Sequence, residues 1–310
     1  SRAYPSHIRG KAIGIWAAAS AVTSALGPII GGLALTFGGA EMWRWIFAVN
    51  LPLGVLALYL VNRYTHNEVE APDTRIDLWG AGLATLGLGV LAFALTRSEE
   101  HGFLTPTTLS LVALSAASLA TFLYVEQRSS HPMLPLGLFQ NRVFATANLA
   151  TYLLYFTLSV NFFFLPMTII SGWGISEIIA AAAYAPLSIF VGGLSTHIGA
   201  WSDRIGPGPM IGIGALIVCV AYAALALTFP VMNFWGRVFP CMCLMGLGMA
   251  FVVSPLSTAV MTSVGDRNTG IASGVNNAIS RMSGLIAVAA TGSVVAVIYA
   301  RTGGTGSIGN

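Results

Sequence analysis

The apolar positions of this chain run together. Over most of its length they neither alternate at the two-residue period of a half-buried strand nor recur at the three-to-four-residue period of a surface helix. Nine apolar segments follow one another with polar breaks between them, over residues 13–37, 45–62, 78–95, 109–125, 145–170, 178–198, 210–229, 238–260 and 272–299. About 18 apolar residues or more, rising 1.5 Å each, cross a hydrocarbon core of roughly 30 Å. The segments are continuous and longer than the roughly 10 alternating residues of a barrel strand, so the pattern predicts helices. The longest breaks, at 63–76, 96–107 and 126–142, are too small to fold as soluble domains. The fold class expected is an all-α polytopic membrane protein, a multi-pass bundle in the cell membrane with lipid as its main solvent.

The first segment carries an oddity. Gly27-Pro28-Ile29-Ile30-Gly31-Gly32 puts the poorest helix formers at its centre, where proline costs about 3 kcal/mol and each glycine about 1 kcal/mol relative to alanine in a water-exposed helix. Within a membrane, small residues let helices approach closely, and Gly27 and Gly31 form a G-x-x-x-G pair one turn apart. Pro28 has no N–H to donate to the carbonyl of Ser24, so a bend is expected there. The hexapeptide alone fits either plain packing or a hinge. The pairs Gly212 and Gly214, and Gly246 and Gly248, read as helix-packing positions.

Composition agrees with the pattern: 55% of the 310 residues are hydrophobic and 8% charged, against about 25% charged in a soluble domain. The basic residues give an orientation, because short cytoplasmic loops accumulate Arg and Lys. Arg2, Arg9, Lys11, Arg63, Arg75, Arg128, Arg142, Arg204 and Arg267 fall in one set of loops, and only Arg44, Arg97, Arg237 and Arg301 in the other. The N-terminal segment is therefore expected in the cytoplasm and the C-terminal end outside. The net charge of +3 is an orientation signal, and without an aromatic-interleaved basic patch no nucleic-acid partner is expected. Cys219, Cys241 and Cys243 lie in apolar runs, and the five histidines are scattered; neither set has metal-ligand spacing, so no metal or cofactor is implied. No G-x-S-x-G, P-loop or G-x-G-x-x-G is present, and no buried acid pair is expected, which argues against an enzyme. The chain opens on Ser1 inside a basic loop, without a signal-peptide pattern, and nine spans put its ends on opposite sides. It reads as a piece of a longer protein.

Within the spans one charge stands out. All eleven acidic residues fall in loops or at span ends, whereas Arg281 lies nine residues beyond Ala272, roughly 14 Å along a helix and near mid-membrane. A guanidinium there costs about 2.5 kcal/mol or more and needs a partner, a wet cavity or a function. Gly274, Asn277, Arg281, Gly284 and Val288 recur every three or four residues, a small and polar stripe that should face protein or water. Asn277 and Arg281 fit either the lining of a substrate cavity or an interhelical hydrogen-bond cluster. Asn148, Tyr152, Tyr155, Ser159 and Phe163 make a similar stripe in the fifth segment, apolar faces with a few polar anchors as in small-molecule pockets, or plain core.

The stretch from Gly10 to Gly54, with Gly27, Pro28, Gly31 and Gly32 followed by Trp43-Arg44-Trp45 and by Asn50, Pro52 and Gly54, resembles the fifth and sixth spans of the fourteen-span drug:proton antiporter family of the major facilitator superfamily. Its G-P-x-x-G-G is similar to that family's antiporter motif, although the glycine usual four residues before Gly27 is Thr23 here. "GAWSDRIGPGP" resembles the superfamily's G-x-x-x-D-R-x-G loop, supplying Gly199, Asp203, Arg204 and Gly206, with Pro207-Gly208-Pro209 in place of the usual basic continuation. The run from Gly265 to Gly292 looks like the penultimate helix of the family.

The resemblance implies spans five to thirteen of fourteen. Residues 1–66 would hold the last two helices of the N-terminal half-bundle, 67–130 the two extra central helices, and 131–310 the C-terminal half-bundle without its last helix. It implies proton-coupled efflux of a small amphipathic compound among membrane lipids, with the coupling acid in the first helices. Asn148, Tyr152, Tyr155, Ser159, Asn277 and Arg281 would bind substrate, while the two glycine-rich motifs would govern conformation. The other reading is a non-transporting scaffold or receptor on the same fold.

Overall fold

The computed structural model describes residues 23, 27, 30–64, 77–103, 105–129, 132–265 and 268–301. Among them lie eight helices long and apolar enough to cross a membrane: α1 (Trp43–Tyr64), α2 (Leu78–His101), α3 (Pro106–Arg128), α4 (Arg142–Gly172), α5 (Glu177–Ile205), α6 (Pro207–Thr228), α7 (Phe234–Thr262) and α8 (Thr269–Arg301). Each overlaps one of the last eight apolar segments of the sequence, and no strand occurs among the described residues. Of the first segment, residues 30–38 are helical; Pro28 and most of the remainder lie outside the described residues. The fold is an all-α polytopic bundle.

Local chemistry explains why the turns are short. Asp77 caps α2 by accepting from Gly80 N at 2.8 Å. Thr105 caps α3 by accepting from Thr108 N at 3.4 Å, with Pro106 in the first turn, where its missing N–H is not needed. Gly206 ends α5 at φ +94, a backbone region that side chains with a Cβ rarely adopt, and Pro207 starts α6 at once. Large apolar side chains cover the outer faces: Leu51, Leu58 and Leu227 are 74%, 72% and 83% exposed, as suits helices whose solvent is hydrocarbon.

Two compact units divide the chain, Ser1–Val69 with Pro166–Thr258, and Glu70–Leu165 with Ala259–Asn310. In the first unit, α6 and α7 meet backbone to backbone. A Cβ on Gly214 would stand 2.6 Å from Gly248 O, and one on Gly248 would stand 2.9 Å from Gly214 O. Gly246 is as close to α5, 2.9 Å from Pro186 O by the same construction. Three of the four paired glycines are therefore contact points. Gly212 has nothing within 4 Å among the described residues.

In the second unit α2 and α3 form an antiparallel hairpin sewn by hydroxyls. Ser115 donates to Gly87 O at 2.7 Å and Ser118 to Leu83 O at 2.9 Å. The hairpin also corrects the expectation that no acid pair is buried. Folding α3 back on α2 brings Glu126, 3% exposed, and the half-buried Asp77 together beside Gly80, where a Cβ would lie 2.8 Å from an oxygen of each carboxylate. Glu126 Oε2 accepts from Leu134 N at 3.0 Å, which fixes the chain as it leaves α3.

Helix α8 is tied to α4 by polar side chains. Asn276 Nδ2 donates to Asn148 Oδ1 at 3.2 Å and to Thr151 Oγ1 at 2.8 Å. One level further along, Ser283 donates to the carbonyl of Tyr152, and at the base Asn141 Nδ2 donates to Ser263 O at 2.7 Å. The Asn276 and Ser283 contacts advance in the same direction along both helices, so α4 and α8 run parallel. Ala272, Asn276, Ser283 and Ala287 form the face of α8 that meets protein, and three of the four are fully buried.

Two expected outcomes follow from this packing. Gly214→Val forces a side chain into the backbone of α7 and should cost about 1–3 kcal/mol, read as a lower midpoint in thermal unfolding of the detergent-solubilised protein, whereas Gly212→Ala should shift it by less than about 0.5 kcal/mol. Asn276→Ala removes both bonds to α4 and should cost about 1 kcal/mol, in line with interhelical hydrogen bonds in membranes; the same midpoint checks it, with the exposed neighbour variant Asn277→Ala leaving stability unchanged.

Candidate functional site

A cavity of about 680 Å³ opens in the second unit between α2, α4 and α8, within the size range of small-molecule sites. α8 positions its floor. At 3.6 residues per turn, Asn277, Arg281, Gly284 and Val288 fall in one row about a third of a turn from the buried Asn276 face, and all four line the cavity. α4 supplies Tyr155, Ser159, Phe162 and Phe163, and α2 supplies Leu95 and Thr96. The floor is flat because Gly284 has no side chain: a Cβ there would stand 2.8 Å from Ser159 Oγ.

Four of the six substrate-contact residues expected from sequence, Tyr155, Ser159, Asn277 and Arg281, are thus brought around one cavity. Asn148 is not among the lining residues. It is 2% exposed, donates to Phe144 O at 2.9 Å and accepts from Asn276. Tyr152 is half-buried beside Phe156, with ring centroids 6.2 Å apart, and its backbone carbonyl takes the Ser283 hydroxyl. Asn276 and Thr151 are the polar residues that sequence reasoning passed over. The signal was present in the Asn276-Asn277 doublet, since adjacent helical positions cannot share a face.

Arg281 lies twelve residues beyond Thr269, about 18 Å along α8. It is exposed to the cavity, and among the described residues neither an ion-pair partner nor an acidic lining residue accompanies it. A lone cation in a polar-and-aromatic pocket does no covalent chemistry by itself. What it can do is hold and orient a ligand.

The two glycine motifs sit in the other unit. Gly32 makes the close approach, with a Cβ there lying 3.1 Å from Ala181 Cβ and 3.2 Å from Glu177 O; Thr36 donates to Glu177 Oε2 at 3.3 Å. Gly27 and Gly31 have nothing within 4 Å among the described residues; the close approach found is at Gly32, one position from the G-x-x-x-G pair. Pro28 lies outside the described residues. Gly199 packs near Ser254 Oγ, 3.2 Å from an added Cβ, and Gly206 is the positive-φ terminator of α5. Asp203 and Arg204 occupy the last turn of α5, both exposed and without an ion pair among the described residues.

The chain is similar to known proteins over most of its length. The chain is 30% identical over 291 residues to the methylenomycin A resistance protein of Bacillus subtilis (strain 168), an alignment covering 93% of this chain and 61% of that protein. It is 29% identical over 303 residues, 97% of the chain and 56% of the relative, to the multidrug resistance protein Stp of Mycobacterium tuberculosis. It is 28% identical over 294 residues, 94% and 56% of the two, to the probable multidrug resistance protein EmrY of Escherichia coli (strain K12). The chain thus spans little more than half the length of these relatives. The family model described as Major Facilitator Superfamily matches residues 1–288, nearly the whole of the described bundle, and the chain belongs to that superfamily.

Proposed function

We propose that the protein is a secondary active transporter of the bacterial cell membrane, which exports small amphipathic compounds in exchange for protons by alternating access around a midplane cavity. The observation that carries this reading is the cavity itself. It is lined by Asn277 and Arg281 of α8 and by Tyr155 and Ser159 of α4, two helices that run parallel. Membership of a transporter superfamily supports it, as do relatives named for resistance to methylenomycin A and to multiple drugs. The fourteen-span drug:proton antiporter branch is the one proposed, on the motif at Gly27, Pro28, Gly31 and Gly32. In it residues 1–66 belong to the N-terminal half-bundle, 67–130 are the extra central pair and 131–310 belong to the C-terminal half-bundle.

In this reading Tyr155, Ser159, Asn277 and Arg281 touch the substrate, while Asn148 and Tyr152 hold α8 in the rotation that presents them. Gly32, Gly199 and Gly206 set helix contacts and ends that a change of conformation has to respect, and Asp203 and Arg204 are the exposed pair on the cytoplasmic side. The coupling carboxylate falls to the family's first helices.

The full-length protein in proteoliposomes should move a fluorescent amphipathic dye when a pH gradient is imposed, and the movement should collapse with an ionophore that dissipates the gradient. Flux indifferent to the gradient would remove the proton. In a second measurement, Asn277→Cys should react with a membrane-impermeant thiol reagent from one side and then the other as the gradient is reversed. Labelling that never changes sides would leave a binding protein in place of a transporter.

A further inference from the structure

The α2–α3 hairpin closes two carboxylates over one small volume that the transport reading leaves without a role. Asp77 uses Oδ1 to accept from Gly80 N at 2.8 Å, and Glu126 uses Oε2 to accept from Leu134 N at 3.0 Å. The second oxygen of each, Asp77 Oδ2 and Glu126 Oε1, is buried and has no hydrogen-bond partner among the described residues. Those same two oxygens converge. Both stand 2.8 Å from the point where a Cβ on Gly80 would lie, so a side chain at position 80 would fill the volume that glycine leaves open.

A buried carboxylate oxygen with its hydrogen bond unmade is destabilising, and two like charges this close in a low dielectric are more so. Glu126 is 3% exposed, so bulk water does not relieve it. Because both oxygens are already closed off from solvent, whatever compensates them has to be small. Calcium takes about six to eight oxygens and magnesium about six, whereas only two are free here. A proton needs one donor and one acceptor, and a single O–H between the two carboxyls supplies both. On α3 the neighbouring Arg128 is exposed and lies over the Tyr124 ring, 4.7 Å from its centroid. The first turn of α2 beyond Asp77 and the stretch 132–141 carry no charged residue, and Arg75 and His131 lie outside the described residues.

We infer that Asp77 and Glu126 form a proton-binding site, holding one proton in an O–H···O bond between Oδ2 and Oε1. The site stands apart from the transport reading and does not depend on it. The proton joins the start of α2 to the end of α3, and Glu126 Oε2 at the same time fixes Leu134 on the way to α4. Departure of the proton sets two anions against each other and pushes on the residue that holds Leu134. Protonation is thereby coupled to the path by which the chain enters a cavity-lining helix.

Infrared spectra of the full-length protein in lipid nanodiscs at neutral pH test it. A protonated carboxyl absorbs apart from ionised carboxylates, and the wild type should show such a band, shifted on transfer to heavy water. Glu126→Gln and Asp77→Asn should each remove it, because the proton belongs to the pair. In both variants an amide N–H takes the proton's place toward the remaining carboxylate, so the thermal midpoint should move by no more than a few degrees. A wild-type spectrum without the band overturns the inference, and this reading needs no variant to fold; it also covers an ionised pair neutralised by a base. A band that survives both substitutions overturns it as well, as does a midpoint that climbs steeply in either variant, the mark of two ionised carboxylates relieved of repulsion. A midpoint that rises with added sodium or calcium in the wild type but not in Glu126→Gln puts a metal ion in the proton's place and rejects the proton. Gradient-driven dye flux is measured separately and can fail without changing any of these results.

Discussion

The double hydrogen bond of Asn276 to Asn148 and Thr151 is the contact on which the site depends. A primary amide facing hydrocarbon has no water to turn to, so its donors must find protein. The nearest acceptors are Asn148 Oδ1 and Thr151 Oγ1 on α4. Once that bond forms, α8 has one rotation. Everything a third of a turn away, Asn277 and Arg281 included, is swung toward the cavity. The stripe that gives the site its chemistry is thus oriented by a residue outside it.

The strengths of the two kinds of contact explain how a unit with so little buried area holds together. Membrane helices gain no hydrophobic free energy by leaving lipid for each other, so association rests on close packing and on interhelical hydrogen bonds. Both are present. The unit containing α6 and α7 uses bare backbone contact at Gly214 and Gly248. The unit containing α2, α3, α4 and α8 uses Ser115, Ser118, Asn276 and Ser283 as hydroxyl and amide donors. Glycine contact excludes volume, whereas side-chain bonds hold helices a little apart and leave space between them. The cavity is found in the second kind of packing.

This division also marks what the sequence could disclose. Span positions were legible because an uninterrupted apolar run is a strong signal, and the Asn277–Arg281 stripe was legible because polar residues are scarce within the spans. Which of two adjacent asparagines faces protein was not, since that depends on where α4 lies. Gly32, and neither Gly27 nor Gly31, touches the start of α5; a G-x-x-x-G spacing says that a face is flat without saying what lies opposite. The meeting of Asp77 with Glu126 escaped for the same reason, as 49 residues separate them and only the hairpin brings the two helix ends together. Gly206, by contrast, was readable before any tertiary contact, because a glycine followed by proline between two apolar runs leaves the chain little choice but to end one helix and start another.

α5 shows how these local rules combine. It is helical over Glu177–Ala182, turns at Ala183 and Tyr184, and resumes at Ala185–Ile205. Pro186 lacks the N–H that a continuous helix would need there. The turn is closed instead by tight bonds from Ala183 N to Ala180 O at 3.2 Å and from Tyr184 N to Ala181 O at 3.1 Å. Gly32 lies against Ala181 just before the turn and Gly246 against Pro186 just after it. The break is therefore flanked on both sides by glycines that let neighbouring backbones approach closely. A larger residue at either glycine would press on α5, at Ala181 before the turn or at Pro186 after it.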